Sequence, residues 1–295
     1  MDRLDAYRLF VRAAETGVIS RAARELGLTQ PAASRLLGAL EDQLGARLFA
    51  RSTRSLALTE AGGLALDRAR AVLSELDGLE SAVHGLDRIP TGLLRVSASV
   101  AFGRGRLIPH TADFLRAWPL MRVDYILKDE RIDPVVEAVD LTFRLGPMED
   151  SRLTARRLGA YGRRLAASPD FVARHGRAEA PQQLNDSPTL DFTGLGYGRR
   201  WPLSDGRRTV TVEIKGETRA NSGEAVLDLT LQGLGVALLP AFLVDPLLAD
   251  GRLVRILPEW SGPALELHAV WAARELPRKA RAFLDFIVPR LSVER

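Results

Sequence analysis

Apolar and polar positions in the first sixty residues alternate with helical spacing. One apolar stripe consists of Ala22, Ala23 and Leu26, and Gly27 follows it. A second stripe, with apolar positions three and four residues apart, consists of Ala33, Leu36, Leu37, Leu40 and Leu44. Such spacing is typical of amphipathic helices. The pattern therefore predicts two short helices joined by a tight turn.

Candidate capping residues precede both predicted helices. Ser20 and Thr29 each carry a hydroxyl that can accept a hydrogen bond from a backbone N–H of the first helical turn. Gly27 can adopt the left-handed conformation that ends a helix. Pro31 falls in the first turn of the second helix, where its missing N–H costs little. These residues predict where each helix begins and where the turn lies.

The second helix begins with small and hydrogen-bonding residues that its apolar stripe leaves exposed: Gln30, Ala32, Ser34 and Arg35. Gln can pair with adenine and Arg with guanine by two hydrogen bonds each, and Ser can reach phosphate or base. A helix with these residues near its N-terminus can read the DNA major groove. An ordinary helical hairpin with a solvated polar face is the alternative at this point.

Residues 48–58 predict two short strands around a basic turn, which is the wing of a winged helix. Charge supports this interpretation, because residues 20–55 contain six arginines and three acidic residues, whereas residues 1–90 contain twelve of each. Positive charge is thus concentrated where DNA would lie. Arg51 and Arg54 are the candidate contacts to phosphate or the minor groove.

Taken together, these residues resemble the LysR-type transcriptional regulators, and the resemblance covers nearly the whole chain. The residues that carry it are Ala22, Ala23, Leu26, Leu28, Thr29, Gln30, Pro31, Ala32, Ser34, Arg35, Leu40, Glu41, Leu44, Gly45, Leu48, Phe49, Arg51 and the run 58–62. The predicted DNA-binding residues are Ser20, Thr29, Gln30, Pro31, Ala32, Ser34, Arg35, Arg51 and Arg54. The predicted partner is double-stranded DNA.

A long helix is predicted from Thr59, its candidate N-cap, to about Leu86. Its apolar positions alternate spacings of four and three: Ala65, Ala69, Val72, Leu76, Leu79, Val83 and Leu86. Such a seam favours pairing with a second copy, although the helix could instead lie on its own domain. The resemblance implies a homodimer or a homotetramer that binds an interrupted palindrome, and contact with RNA polymerase if the protein is an activator.

Beyond residue 92 the pattern alternates between strands and helices, which indicates α/β units. Strands are predicted at 93–99, 122–127, 141–145, 164–167, 236–239, 253–256 and 265–271. Helices are predicted from the end of the first strand to about 118, at 134–138, from 169, and at 222–232, 241–248 and 277–291. The resemblance implies a bilobal sensor like a periplasmic binding protein, with two crossover strands near 160–163 and 266–269.

The predicted fold is therefore multidomain. An N-terminal, all-α winged helix–turn–helix domain (1–58) is followed by a dimerisation helix (59–88) and an α/β effector-binding domain (89–295). Subdomain I of the sensor comprises 91–161 and 268–295, and subdomain II comprises 162–267.

Ligands of open α/β sheets bind at the carboxyl ends of strands, near helix N-termini. Ser99 and Val100, Arg144, and Asn221 with Ser222 occupy such positions. We expect them to hold a small-molecule effector, an organic anion, with Arg144 as a bidentate contact. As the alternative, Ser99 and Asn221 only cap helices, the latter in a capping box with Glu224, and Arg144 pairs with Asp140 or Glu149.

Composition excludes several other classes. The chain has 295 residues, a formal net charge of +4 and no cysteine. Its four histidines, His84, His110, His175 and His268, lack metal-ligand spacing, and no nucleophile elbow is present. We therefore expect no metal, no cofactor and no catalytic residue. The N-terminus lacks a signal-peptide pattern, and the uncharged run 229–244 is too short and broken for a membrane span, so a cytoplasmic protein without membrane contact is expected.

The sequence thus predicts a DNA-binding regulator controlled by a small effector. The alternative is a bilobal solute-binding protein, or an enzyme on the same fold, without a regulatory role on DNA.

Overall fold

The structure, a computed structural model, describes residues 3–50, 56–83, 90–130, 134, 137, 139–148, 153–195, 199–273 and 275–293, apart from the side chains at 71, 74–75 and 77–83. These residues form two compact units. The first lies within Met1–Arg88, and the second takes up residues 89–295 other than 133–138.

The first unit has the predicted winged helix–turn–helix architecture. Its elements are α1 (Arg3–Thr16), α2 (Ile19–Glu25), α3 (Gln30–Leu44), β1 (Phe49–Ala50), β2 (Ala57–Leu58) and α4 (Glu60–Val83). The two strands pair antiparallel, with Phe49 opposite Leu58. The core between the helices is built on Leu9, Phe10, Leu37 and Leu40, so the apolar stripes of α1 and α3 face each other.

Local capping explains where the helices begin. The Thr29 hydroxyl accepts a hydrogen bond from the Ala32 N–H at 3.4 Å, and Gly27 is left-handed with φ +69°, as predicted. The prediction for Ser20 is wrong, because α2 begins at Ile19 and its N-cap is Val18. Because α2 ends at Glu25, Leu26 has left the helical stripe and is 38% exposed.

The predicted buried position of Leu44 is also wrong. Leu44 is the last residue of α3, and it is 40% exposed. The chain leaves the helix at the left-handed Gly45, φ +67°, so the side chain lies beyond the part of α3 that the core covers.

The predicted start of the long helix is confirmed, because the Thr59 hydroxyl accepts a hydrogen bond from the Gly62 N–H at 2.9 Å. The seam differs from the prediction at its first two positions. Ala69 is buried in the core of the first unit, and Ala65 packs against that core, so this turn covers its own domain. Val72 is 46% exposed. Leu86, the last position of the predicted seam, lies outside the described residues.

The second unit is built on a mixed sheet of nine strands among the described residues. The strands are β3 (Gly92–Ala98), β4 (Met121–Leu127), β5 (Leu141–Leu145), β6 (Thr154–Ala167), β7 (Thr189–Phe192), β10 (Thr218–Ala220), β11 (Val236–Pro240), β12 (Val254–Arg255) and β13 (Gly262–Trp271). Their order in the sheet is β10-β7-β11-β6-β13-β5-β3-β4, with β12 beside β6. A separate hairpin consists of β8 (Arg200–Ser204) and β9 (Thr209–Glu213).

The long antiparallel strands β6 and β13 join the two halves of this sheet. Parallel strands β3, β4 and β5 lie on one side, and β7, β10 and β11 lie on the other. Ala160 is opposite Glu266, so the pairing includes both predicted crossover regions. The predicted strand at 164–167 is only the end of β6, which begins ten residues earlier at Thr154. The prediction missed the first part of the strand because its arginines hide the apolar alternation.

Helices cover both halves of the sheet. They are α5 (Val100–Phe102), α6 (Thr111–Ala117), α7 (Pro169–His175), α8 (Gly223–Leu231), α9 (Ala241–Ala249) and α10 (Arg278–Ile287). Between α5 and α6 the chain stays helical but changes its hydrogen-bonding pattern, with a π-helical turn at Gly103–Leu107. The predicted helix at 134–138 falls mostly outside the described residues.

Candidate functional site

The first candidate site is the exposed face at the N-terminal end of α3. Gln30, Ser34 and Arg35 are exposed there, whereas Leu36 and Leu37 are buried on the opposite side. The helix therefore presents hydrogen-bonding side chains to solvent at the end from which recognition helices read bases. Pro31 is exposed and Ala32 is half-buried in the same turn.

The other predicted DNA contacts are distributed differently. Thr29 lies at the start of α3, with its hydroxyl used as the cap. Ser20 lies half-buried in the first turn of α2, and its carbonyl accepts a hydrogen bond from Arg24 Nε at 3.4 Å. Arg51 and Arg54 lie outside the described residues.

Glu41 connects α3 to the strands of the wing. Its Oε1 atom accepts hydrogen bonds from the N–H groups of Leu48 at 2.8 Å and Phe49 at 3.4 Å, and Arg47 pairs with its Oε2. Burial alone would raise the pKa of Glu41, but these hydrogen bonds outweigh burial and lower it. The carboxylate thus stays charged and connects α3 to the backbone at the start of β1.

The second candidate site is a cleft in the sensor with a cavity volume of about 130 Å³. It lies at the carboxyl ends of β3 and β5, opposite the starts of α8 and α9. Its apolar wall consists of Phe192, Pro240, Phe242, Leu243 and Leu265. Gly194 also lines it.

Among the described residues, three hydroxyl side chains lie on the sheet side of this cleft. Ser97 on β3 is directly opposite Thr142 on β5, and Ser99 lies two residues farther along. Thr142 is 8% exposed. Its Oγ1 atom is buried and has no hydrogen-bond partner among the described residues.

Charged residues also line the cleft, and the described ones are Lys128, Asp129, Glu130 and Arg144. Asp129 Oδ1 accepts a hydrogen bond from the Val100 N–H at 3.0 Å. Asp129 Oδ2 is buried and lacks a hydrogen-bond partner within the part of the chain that the structure describes. The Ser99 hydroxyl accepts from the Phe102 N–H at 3.4 Å.

One hydrogen-bond donor of the expected site already has a partner within the chain. We expected the Val100 N–H to contact an effector anion, but it already donates to the Asp129 carboxylate. Ser99 both caps the helix and lines the cleft. Asp129 and Thr142 were missed by the sequence analysis, because Asp129 lies 29 residues from Val100 along the chain and neither residue belongs to a local motif.

The remaining predicted effector contacts divide into two groups. Arg144 lines the cleft. Of its two expected alternative partners, Asp140 pairs with Lys279 at 2.9 Å, and Glu149 lies outside the described residues. Asn221 and Ser222 do not line the cleft, although the next residue, Gly223, does.

The capping box predicted at Asn221 is wrong. The N-cap of α8 is Ser222, which makes no side-chain capping bond among the described residues. Glu224 instead pairs with Arg104 at 2.9 Å, so its carboxylate is turned toward the helical run that follows β3.

No group of three metal-ligating side chains occurs among the residues that the structure describes. Within the same residues, no helix is both long and apolar enough to cross a membrane.

Two protein-family models match the chain. One, described as a bacterial regulatory helix-turn-helix protein of the lysR family, matches residues 4–63. The other, described as the LysR substrate binding domain, matches residues 88–292. Together they span both compact units.

Curated relatives match over almost the full length. The chain is 33% identical to the HTH-type transcriptional regulator CrgA of Neisseria meningitidis serogroup C (strain 8013), covering 96% of this chain and 95% of the relative. It is 35% identical to PtxR of Pseudomonas aeruginosa, covering 97% and 92%.

Solved structures agree with these matches. CrgA from Neisseria meningitidis superposes with a TM-score of 0.64 at 32% identity, covering 98% of each chain. Full-length AphB from Vibrio cholerae gives a TM-score of 0.61 at 27% identity, covering 99% of this chain and all of that one.

Proposed function

Because the chain belongs to the LysR family of transcriptional regulators, we propose that it binds an interrupted palindrome in duplex DNA as a dimer or tetramer and responds to a small organic acid. It is a regulator with a helix–turn–helix DNA-binding domain and an effector-binding domain. The hypothesis of a solute-binding protein or enzyme without a DNA role is set aside, because residues 4–63 match the helix-turn-helix model of the lysR family.

One observation carries the proposed DNA contact: the hydrogen-bonding residues Gln30, Ser34 and Arg35 are exposed on a helix whose opposite face is buried. A rigidly packed helix can hold these side chains at base edges. The full set proposed to contact DNA is Ser20, Thr29, Gln30, Pro31, Ala32, Ser34, Arg35, Arg51 and Arg54.

For the effector, Ser99 and Arg144 are proposed as direct contacts because both line the cleft. Val100, Asn221 and Ser222 remain proposed contacts at its margin. Effector and DNA alter each other's affinity reciprocally in this scheme, since allostery is a coupling free energy between two sites. The same proposal includes the domain limits 1–58, 59–88 and 89–295, with subdomain I at 91–161 plus 268–295 and subdomain II at 162–267. It also includes a cytoplasmic location and, when the protein activates transcription, contact with RNA polymerase.

The test uses the purified full-length protein and random genomic duplexes, selected by binding and sequenced with and without cell metabolites. We expect enrichment of a recurrent near-palindromic site. Its affinity falls steeply with salt, because bound arginines release counterions from phosphates. Absence of enrichment under both conditions, or salt-independent binding, would overturn the proposed DNA contact.

A further inference from the structure

We propose that the cleft takes a small zwitterion, an apolar α-amino acid or a close analogue, whose amine meets Asp129 and whose carboxylate meets Arg144. This inference rests on the proposed function, in which the cleft is the effector site, and it specifies the chemical class of the effector. It is carried by two buried atoms that have no hydrogen-bond partner in the described part of the chain, by the charges of the lining and by the composition of the opposite wall.

The first support is Asp129 Oδ2, a buried acceptor without a hydrogen-bond partner among the described residues. Its other oxygen is fixed by the Val100 N–H at 3.0 Å, so the carboxylate has a defined orientation. A buried charged acceptor without a donor is unfavourable. A ligand amine supplies a charge-assisted hydrogen bond of the kind that is short and strong.

A second unpartnered atom lies at the same cleft. Thr142 is more than nine-tenths buried, and its Oγ1 atom has no hydrogen-bond partner in the described part of the chain. Because Ser97 is directly opposite it on β3, two hydroxyls lie side by side on the sheet. A hydroxyl both donates and accepts, so this pair can bind a ligand that carries polar groups of both kinds.

The charges of the lining favour a zwitterion over a ligand that is only an anion. Lys128 and Arg144 are balanced by Asp129 and Glu130, so the formal charge of these four residues is zero. A ligand that carries only negative charge and no hydrogen-bond donor would bring this charge near a carboxylate of the lining, which is unfavourable. A zwitterion pairs its carboxylate with guanidinium and its amine with carboxylate, and the guanidinium suits bidentate carboxylate recognition.

The opposite wall defines the rest of the ligand. Phe192, Phe242, Leu243 and Leu265 contribute apolar surface to the cleft. Pockets of this kind hold the body of a ligand by apolar contact and orient it through a few polar groups. The ligand therefore carries an aliphatic or aromatic side chain beside its amine and carboxylate.

The experiment compares matched probes on the full-length protein by titration calorimetry. One set is L-leucine, 2-hydroxy-4-methylpentanoate, 4-methylpentanoate and 3-methylbutylamine, and the second set is the corresponding series from L-phenylalanine. We expect the amino acid of at least one set to bind at least tenfold more tightly than its deaminated acid and its decarboxylated amine. The affinity of the hydroxy acid, which keeps a neutral donor, should lie between those of the amino acid and the deaminated acid.

Two variants assign the effect to the cleft. Asp129→Asn removes the tenfold preference for the amino acid over the deaminated acid. Thr142→Val, which keeps the side-chain shape, weakens binding of the amino acid several-fold. The matched control Asp285→Asn changes an exposed carboxylate on α10 and leaves binding unchanged. If Asp129→Asn fails to fold, Thr142→Val and the probe series on the unmodified chain together still test the proposal.

Three results would overturn the inference: deaminated acids that bind as tightly as the amino acids, tighter acid binding by Asp129→Asn, or no binding by any amine-bearing probe. The second result would mean that an anion displaces Asp129 from the Val100 N–H. Duplex binding by the same preparation separates the two proposals. Specific duplex binding without probe binding refutes only the zwitterion, whereas loss of specific duplex binding refutes the proposed function itself.

Discussion

Arg104 and Glu224 are 120 residues apart in the chain, yet Arg104 Nη1 lies 2.9 Å from Glu224 Oε2. Arg104 belongs to the π-helical turn after β3, and Glu224 to the first turn of α8. The pair therefore connects the two halves of the sensor beside the cleft. Its side chains are 66% and 26% exposed, so water and salt screen the interaction.

A double-mutant cycle on this pair should give a coupling energy of about 0.2–1 kcal/mol, the range of exposed ion pairs. Arg104→Ala and Glu224→Gln are made singly and together, and the free energy of unfolding is measured in urea. We expect the coupling to decrease at high salt. A coupling above about 2 kcal/mol, or one insensitive to salt, would contradict the view that the pair is solvent-screened.

Gly62 and Gly63 offer a matched test of how the long helix packs on the wing. A Cβ at Gly62 would lie 2.0 Å from the Leu48 carbonyl oxygen, whereas a Cβ at Gly63 meets nothing within 4 Å. Gly62→Ala should therefore destabilise the first unit by about 1–3 kcal/mol, the cost of overpacking. Gly63→Ala should stabilise it by about 0.5–1 kcal/mol, because alanine is the better helix former. Thermal unfolding measures both, and equal effects would disprove the close approach.

Arg35→Ala tests the proposed base contact on α3. Loss of a bidentate contact to guanine should weaken specific duplex binding by about 1–3 kcal/mol and relax preference at one base pair. Arg116→Ala on α6 removes the same charge from an exposed position in the sensor and serves as the control. Affinity is measured by fluorescence anisotropy on a set of single-base operator variants. Uniform weakening across all variants would instead identify Arg35 as a phosphate contact.

The sequence predicted those features that depend on residues close together in the chain. Thr29 and Pro31 determine the start of α3 through contacts within one turn, and Gly27 needs only its own backbone freedom. Leu26 and Leu44 were placed in the apolar stripes of their helices but are exposed, because a periodic pattern does not show where a helix ends relative to the core that covers it.

Features that depend on distant partners were missed. In β6 the run from Thr154 to Arg163 is rich in arginine and glycine, so only its neighbour β13 reveals it as a strand. Likewise, Asp129 becomes a cleft residue through its bond to the Val100 N–H on another element. The cleft was predicted from strand ends, but the carboxylate that determines its charge could be found only after the chain was folded.

Tyr161 should make stability depend on pH in the alkaline range. Its hydroxyl donates to the Leu291 carbonyl, and burial raises the pKa of Tyr161 to about 12, although nearby Arg106 opposes the shift. The unfolded phenol, with a pKa near 10, loses its proton first, so stability is fully present below pH 10 and falls between pH 10 and 12. Urea unfolding of wild type and Tyr161→Phe across this range tests the effect. Parallel pH profiles for the two proteins would contradict it.

Lys279 on α10 is held by two groups of the sheet. Its Nζ atom lies 2.9 Å from Asp140 Oδ1 and donates to the Leu93 carbonyl at 2.9 Å. Asp140 Oδ2 accepts from the Arg95 N–H. Because the Asp140 side chain is 7% exposed, removal of its cation leaves a buried charge without its ionic partner.

Lys279→Met should therefore lower the free energy of unfolding by about 3–5 kcal/mol, the cost of breaking a buried ion pair from one side. The control is Lys215→Met, which removes a lysine that is 49% exposed and lies 3.8 Å from Asp186; its effect should stay below about 1 kcal/mol. Pairing Lys279→Met with Asp140→Asn should recover part of the loss, since no charge is then left buried. Urea unfolding followed by tryptophan fluorescence gives the values. Equal losses for the two lysines would show that Asp140 is solvated in the native state and that α10 is held by its apolar face alone.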